Sequence, residues 1–490
     1  MLTFRAKARI RSLWIVLVLS AMSFSLLTWS IVSRGVFANM LSQMDNALYG
    51  QMLATSDRLA GKSPAGESDV VLVALDDRAL QKLSAYNPET YRRYHVQALA
   101  HLVAGKPRAV VYDILFADAH PDPEVDLALA ARMKETTSFV AHFAASVDES
   151  GGEFDAESYP NLHNVADRAV YEEGFFPMPE PIFRALSGFG LSNAYPDTDG
   201  VLRKMPVFVN VGGRMYPTIA LEVYRRLHNV SRESVVFRNH HVIVGDRLIP
   251  ADQDLRTRIP MLDREFSVRE ISFYDVALGR VPAEYFSGKV VFVAATATGL
   301  GDNKLLPVHG YVPGVRVHIN LFLGLEKNRL VGEPSTSGYM ILLFLAAICY
   351  TFLFFNKNEH SLPGKVLIRL SRIPALRRAW TAVVGRVRLD RVAGALSGLA
   401  RKSYFLRFTV ALFEQTRSRL QALLFQLLLL YLAIYWVFLE FSWYVRPTPL
   451  LLQVMLSFVF VSEFRRIDAA LAGPAGGAEA TGQEGKREET

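Results

Sequence analysis

The run "WIVLVLSAMSFSLLTWSIV" (Trp14–Val32) carries no charge. At 1.5 Å per residue it reaches the ~20 residues that cross about 30 Å of hydrocarbon. No other feature restricts the chain more, because a segment of this kind is accommodated in lipid as a helix whose backbone bonds are all internal. Arg5, Lys7, Arg9 and Arg11 precede it. Positive flanks stay inside, so residues 1–11 are expected in the cytoplasm and residues 12–32 as an outgoing transmembrane helix. A cleaved leader would have a shorter apolar region ending at an A-x-A site; an uncleaved anchor fits better.

The next apolar block is residues 338–355, which places residues 33–337 outside the cytoplasm. Residues 356–419 then carry fourteen Lys/Arg against three acids, Glu359, Asp390 and Glu414. So basic a loop belongs inside. Residues 420–440 return outward, "EFSWYVRPTP" turns, and residues 447–464 come back in, with Trp443 and Tyr444 suited to an interfacial belt and Arg465 and Arg466 at the inner face. The expectation is four transmembrane helices with both termini cytoplasmic. Residues 465–490 are rich in small residues and mixed charge and are expected to be disordered. No cytoplasmic segment is long and patterned enough for a globular catalytic domain. Cys349 is the one cysteine, so no disulfide closes within the chain, and the compartment is left open by that count.

Between the first two spans, strand and helix signals alternate. "DVVLVALDD", "AVVYDILF", "SFVAHFAA" and "GKVVFVAAT" are short apolar, β-branched runs; "YRRYHVQALAHLVAGK" and "DPEVDLALAARMKE" have helical spacing. This order predicts a layered α/β domain. The middle is more β-like: "KMPVFVNVGG" alternates, and "HHVIVGDRLIP" reads as a hairpin turning at Gly245-Asp246, so the sheet is expected to be mixed. "VRVHINLFLGLEKNRLV" is expected to return as a helix leading to the membrane.

Motifs for chemistry are sparse. "GLGDNK" places Gly299 and Gly301 as a dinucleotide fingerprint would, but its last position is Lys304, and a polar loop after a strand is the better reading. The histidines, His309 and His318 among them, lack zinc spacing such as H-E-x-x-H. There is no G-x-S-x-G elbow and no Walker A pattern, and nothing calls for a metal or a cofactor. Acids at strand ends, Asp76, Asp77 and Asp113, lie where α/β sheets bind ligands, although acids there also cap helices.

Four motifs occur in a telling order: "VVLVALDDRAL", "GKPRAVVYDILFAD", "GFGLSNAYPDTDGVLRKMPVFVNVGGRMYPTIALEVYRR" and "GKVVFVAATATGLGDNKLLPVHGYVPGVRVHINL". In that order they resemble the CHASE type 2 sensory domain, an extracytoplasmic module usually fused to cyclases, diguanylate cyclases or histidine kinases. The resemblance covers about Leu41 to Val331. "FSWYVRPTPLLLQ" looks like the tryptophan-proline turn before the family's last membrane span. Two departures stand out: the fused output domain is missing, and residues 356–419 form an insertion where the family has a short loop. The resemblance implies a bacterial sensor of the inner membrane with a periplasmic domain, and it assigns no ligand. Asp197, Asp199, Gly200 and Arg203 match the family's D-x-D-G-x-x-R turn, where a structural corner is favoured over ligand contact and catalysis comes last. The candidate ligand-binding residues are Asp77, Asp113, Asp197, Asp199, Arg203, Asp302 and His318.

Within the insertion, Leu370, Ile373, Leu376, Trp380, Val383, Val384 and Val387 fall at helical spacing among Arg369, Arg372, Arg377, Arg378, Arg386 and Arg388. That pattern predicts an amphipathic helix on anionic lipid of the inner leaflet, or one that docks a partner, rather than a nucleic-acid contact. The expected function is a membrane-anchored sensor that relays a small-molecule or protein signal to a separate partner, with a second copy of the chain, in a homo-oligomer, among the candidate partners. Its rivals are a structural or assembly subunit of an envelope complex and an extracytoplasmic enzyme, the latter needing Asp113, Asp302 and His318 gathered around a metal.

Overall fold

The computed structural model describes residues 21–33, 36–60, 68–83, 88–145, 159–300, 302–355 and 430–471, with 423, 427 and 428. The chain divides into two compact units. The larger is Tyr49–Ser335 together with Phe438–Tyr444; the other holds Met1–Leu48, Thr336–Val437 and Val445–Thr490. Helices α1 (Ala21–Ser33) and α2 (Val36–Ala60) open the described chain.

The larger unit is organised around six strands: β1 (Val70–Leu75), β2 (Ala109–Asp113), β3 (Ser138–His142), β4 (Gly188–Leu191), β5 (Arg269–Ser272) and β6 (Val290–Ala295). They lie in the order β5-β1-β6-β2-β3-β4, and every pairing is parallel. Parallel strands need crossovers, and the sequence supplies helices within them, α3 (Asp77–Leu83), α4 (Pro88–Ala104), α5 (Pro123–Lys134), α6 (Ile219–Leu227) and α7 (Phe273–Ala277), while α8 (Val315–Glu326) follows the last strand of this sheet. Asp122 caps α5, accepting from Glu124 N at 3.2 Å, and Pro123 sits in the first turn, where its missing N–H does no harm. One sheet face, with Val71, Val73, Val110, Tyr112, Val140, Val291 and Val293, is buried with residues of α3, α4, α5 and α7. The residues between them face the other way, where Phe292 meets Phe322 of α8 with ring centroids 6.0 Å apart. Covered on both faces, β1 and β6 are apolar throughout, "VVLVAL" and "VVFVAA", and buried almost throughout.

The middle of the chain builds separate small sheets, mostly antiparallel, although Phe208–Val211 also pairs parallel with Val170–Glu172. The expected hairpin is present: His241–Val244 pairs with Arg247–Pro250, and Gly245 takes φ +62° at the turn. Phe208–Val211 pairs with Arg214–Pro217, and Lys204–Pro206 with Arg256–Arg258. The expected mixed sheet is thereby corrected: the main sheet is purely parallel, and mixed pairing is confined to the small sheet of Val170–Glu172, Phe208–Val211 and Arg214–Pro217. Helical crossovers keep strands parallel, whereas two-residue turns reverse them. The helix expected to lead into the membrane also stops early. Helix α8 ends at Glu326, Asn328 takes φ +53°, and Val331 bridges instead to Arg258.

In the other unit, α9 (Thr336–Phe355) and α11 (Pro447–Leu471) pack together; α10 (Leu430–Phe441) lies between them in sequence. Asp45 caps α11, accepting from Thr448 N at 3.0 Å and Thr448 Oγ1 at 2.6 Å, where a carboxylate suits the positive end of the helix. Thr28 Oγ1 donates to Gln453 Oε1 at 2.6 Å. Among the described residues no single helix is long and apolar enough to cross a membrane. Ala21–Ser33 with Ala38–Ser56 qualifies by length and composition only as a bent pair, and Thr336–Ile348, Leu430–Phe441 and Pro447–Val459 are shorter apolar helices. The basic insertion, with Arg369, Arg372, Arg377, Arg378, Trp380, Arg386 and Arg388, lies outside the described residues, as does the tail from residue 472.

Candidate functional site

The carboxyl edge of a parallel sheet collects loop residues, and the strand-end acids of this chain meet there. Two of them are committed to the scaffold. Asp76 Oδ1 accepts from Ala79 N at 2.8 Å, capping α3, and from Ser272 Oγ at 2.9 Å. Asp77 accepts from Thr298 N at 2.9 Å and Thr298 Oγ1 at 3.0 Å, which pins the loop after β6 to the start of α3. Asp77 thus acts as a latch between these two segments.

Asp113 is different. It ends β2, and no hydrogen bond to its carboxylate is formed among the described residues. Burial raises its pKa above the usual carboxylate range; His318 and Lys304 oppose that shift and Asp302 adds to it. His318 sits on α8, 3% exposed, and its Nδ1 has no hydrogen-bond partner among the described residues. Asp302 pairs with Lys304 at 2.8 Å, and its backbone oxygen accepts from Gly314 N at 2.8 Å at the head of α8. Asp113, Asp302 and His318 are therefore brought within electrostatic reach of one another, together with Lys304. Among the described residues no group of three or more His, Cys, Asp or Glu is placed to hold a metal. What remains is a carboxyl inclined to keep its proton beside a buried imidazole.

The acid-glycine-base turn is a closed corner. Arg203, with its side chain 8% exposed, donates from Nη1 to Asp197 Oδ2 at 2.9 Å and to Asp199 Oδ1 at 2.9 Å, and from Nη2 to Asp199 Oδ2 at 2.8 Å. Asp199 Oδ1 also accepts from Val201 N at 3.1 Å. Gly200 takes φ +77°, which a side chain would strain. The hydrogen bond from Arg203, opposed by partial burial, lowers the Asp199 pKa. This bidentate geometry fills the carboxylate of Asp199 from within.

A further cluster escaped the sequence reading. Arg258 is 6% exposed, and its guanidinium carbon lies 4.3 Å from the Tyr49 ring centroid and 4.4 Å from that of Tyr444. Glu333 forms its ion pair. Burial works against the charge of Arg258, yet Glu333, Tyr49 and Tyr444 outweigh it and the pKa rises. The backbone joins the same segments: Gly332 N donates to Ser442 O at 3.0 Å and Tyr444 N to Gly332 O at 2.8 Å. Residues far apart in sequence, from α2, Arg256–Arg258, the stretch after α8 and the turn after α10, thus close around one cation. An arginine between Thr257 and Ile259 carries no local signal of such a cluster, since many arginines sit beside β-branched residues.

Compared with known protein families, residues 21–352 match the CHASE2 domain. No curated protein and no solved structure matches the chain.

Proposed function

The chain belongs to the CHASE2 domain family, a family of sensory domains, and from that premise we propose that it is a membrane-anchored sensor passing an extracytoplasmic signal to a separate partner protein. In this reading the domain lies on the periplasmic side of the bacterial inner membrane, residues 1–11 and the basic insertion lie inside, and the insertion contacts anionic lipid and forms part of the route to the partner.

The observation that carries the relay is the Arg258 cluster. Tyr49 follows the first apolar stretch in the chain, Glu333 precedes the second, and Tyr444 stands between the last two. One guanidinium therefore holds together the points where the sensory unit meets each apolar segment in sequence. A shift of Arg256–Arg258 within the domain would be felt at all of them. A buried arginine stacked on two rings and paired with a carboxylate has few alternative arrangements, which suits a two-state joint.

Affinity capture of the tagged full chain from native membranes, followed by mass spectrometry, tests the proposal. The expected result is recovery of a cytoplasmic or membrane signalling protein, reduced when residues 364–402 are deleted. Recovery of envelope-assembly proteins alone would replace the relay with a docking role, and recovery of no partner would sink it.

A further inference from the structure

At the amino edge of the main sheet, opposite the acids described above, a cleft of about 210 Å³ opens between the first residues of β1 and β6 and the last turn of α8. Its walls are apolar where Val70, Val290, Phe322 and Leu323 line it. Its charged groups come in two loose pairs. Arg108 Nη1 stands 3.2 Å from Glu326 Oε1, an oxygen also 3.1 Å from His228 Nε2, and Lys327 Nζ stands 3.9 Å from Asp69 Oδ2. Charge-assisted bonds close to about 2.7–2.9 Å when nothing holds them apart, so both pairs retain bonding capacity. Ser68, 6% exposed, accepts from Val70 N at 3.1 Å and keeps its own O–H to donate.

We propose that this cleft is the binding site for a small zwitterion of the α-amino-acid class. The sign balance makes the choice. A purely anionic ligand would draw Arg108 from Glu326, a carboxylate 17% exposed that would keep only His228, and a purely cationic one would draw Glu326 from Arg108; the outer pair, with Asp69 82% exposed, is solvated and weighs little in the choice. Stranding a partly buried charge is the larger penalty. A zwitterion satisfies both pairs at once: its carboxylate takes Arg108 or Lys327 with the hydroxyl of Ser68, its ammonium takes Glu326 or Asp69, and an aliphatic side chain lies on the apolar wall. Scaled from the ~150 Å³ cavity that takes up benzene, the volume admits roughly eight to ten heavy atoms, the size of valine, proline or leucine. The inference rests on the sensory reading for its purpose, but binding is measured on the chain alone, so the fate of the partner experiment and of this one are independent.

The test is calorimetry and thermal melting of the full chain in detergent with L-valine, L-proline and L-leucine, each against 4-methylpentanoate and isoamylamine. At least one amino acid is expected to bind at millimolar or lower concentration, at least about tenfold more tightly than either singly charged analogue. Arg108→Met and Glu326→Gln are each expected to weaken it by about tenfold or more, while the ligand-free melting point stays near that of the parent. Ser68→Ala supplies a smaller lesion if either variant unfolds, with a few-fold loss expected. Failure of all three amino acids to bind, equal binding of a singly charged analogue, or undiminished binding by the variants would overturn the proposal.

Discussion

Asp199 and Arg203 illustrate how a sequence motif that looks chemical becomes structural once its hydrogen bonds are counted. Arg203 is nearly enclosed, but Asp199 has 38% of its side chain exposed, so solvent screens part of the interaction. Asp199→Ala is therefore expected to lower stability by about 1 kcal/mol, through one charge-assisted pair and one turn bond, as read by thermal melting. Unchanged melting would return the turn to the list of ligand contacts. His95 makes a second prediction. It is fully buried among Tyr91, Tyr112, Phe116 and Phe273, and neither ring nitrogen has a hydrogen-bond partner among the described residues. Burial, helped by Arg92, lowers its pKa from 6.5 to about 3. The folded state thus keeps His95 neutral while the unfolded chain binds a proton below 6.5, so stability is complete above that pH and declines as pH falls towards the folded value. The slope approaches about 1.4 kcal/mol per pH unit for this one proton. His142, lowered to about 4 chiefly by burial, adds to it in the same direction. His95→Phe is expected to flatten the pH dependence of the melting point between about pH 7 and pH 5 without loss at neutral pH; a slope identical to the parent's would refute the assignment. Neither His95 nor Arg258 was legible beforehand, because a lone His or Arg is compatible with a surface or a core and only its neighbours in space decide.

At the level of elements, periodicity was a good guide. Buried strands in a parallel sheet leave long β-branched runs, and α4, α5 and β6 lie where those runs and the helical spacing placed them. The glycines of "GFGL" carry a requirement that pattern alone does not express. A side-chain carbon at Gly190 would lie 2.6 Å from Ile219 Cα and 2.7 Å from Ile219 N, so β4 and the start of α6 approach as closely as backbones can. Gly188 has instead side-chain neighbours, Glu222 Oε1 at 3.0 Å and a Phe139 ring carbon at 3.2 Å. Gly190→Ala is expected to cost about 1–3 kcal/mol, more than Gly188→Ala, because backbone cannot move aside as a side chain does. Melting of the two variants side by side checks the order, and an equal or reversed effect would contradict the packing. Glu222 shows a limit of helical spacing. With Arg225 and Arg226 three and four residues on, it reads as a solvated salt-bridged face, yet it is wholly buried and accepts from Tyr159 Oη at 2.5 Å and Arg225 Nη2 at 2.6 Å. Tyr159, far upstream, and Gly188 of β4 meet that face, and sequence spacing contains no record of them.

For the whole molecule the sharpest prediction is topological. In a Cys349→Ser background, a cysteine at Tyr311, which is 75% exposed on the sensory unit, is expected to react with an impermeant thiol reagent once any outer membrane is permeabilised. A cysteine at Ser397, in the basic insertion, is expected to stay unlabelled until the inner membrane is opened. The opposite pattern would overturn the orientation inferred from positive charge. Local chemistry in the sequence determined the layered α/β class, the helices and strands of the sheet, the hairpin at Gly245-Asp246 and, through four motifs in order, the family. These rest on interactions within a few residues: alternation, capping and turn geometry. Only tertiary structure decided that the main sheet is wholly parallel, that Asp77 is tied up while Asp113 and His318 share a buried site, and that Arg258 is gripped by Tyr49, Glu333 and Tyr444. Those outcomes depend on contacts between segments hundreds of residues apart, and the sign of a buried charge's contribution is set by which partners the fold delivers to it.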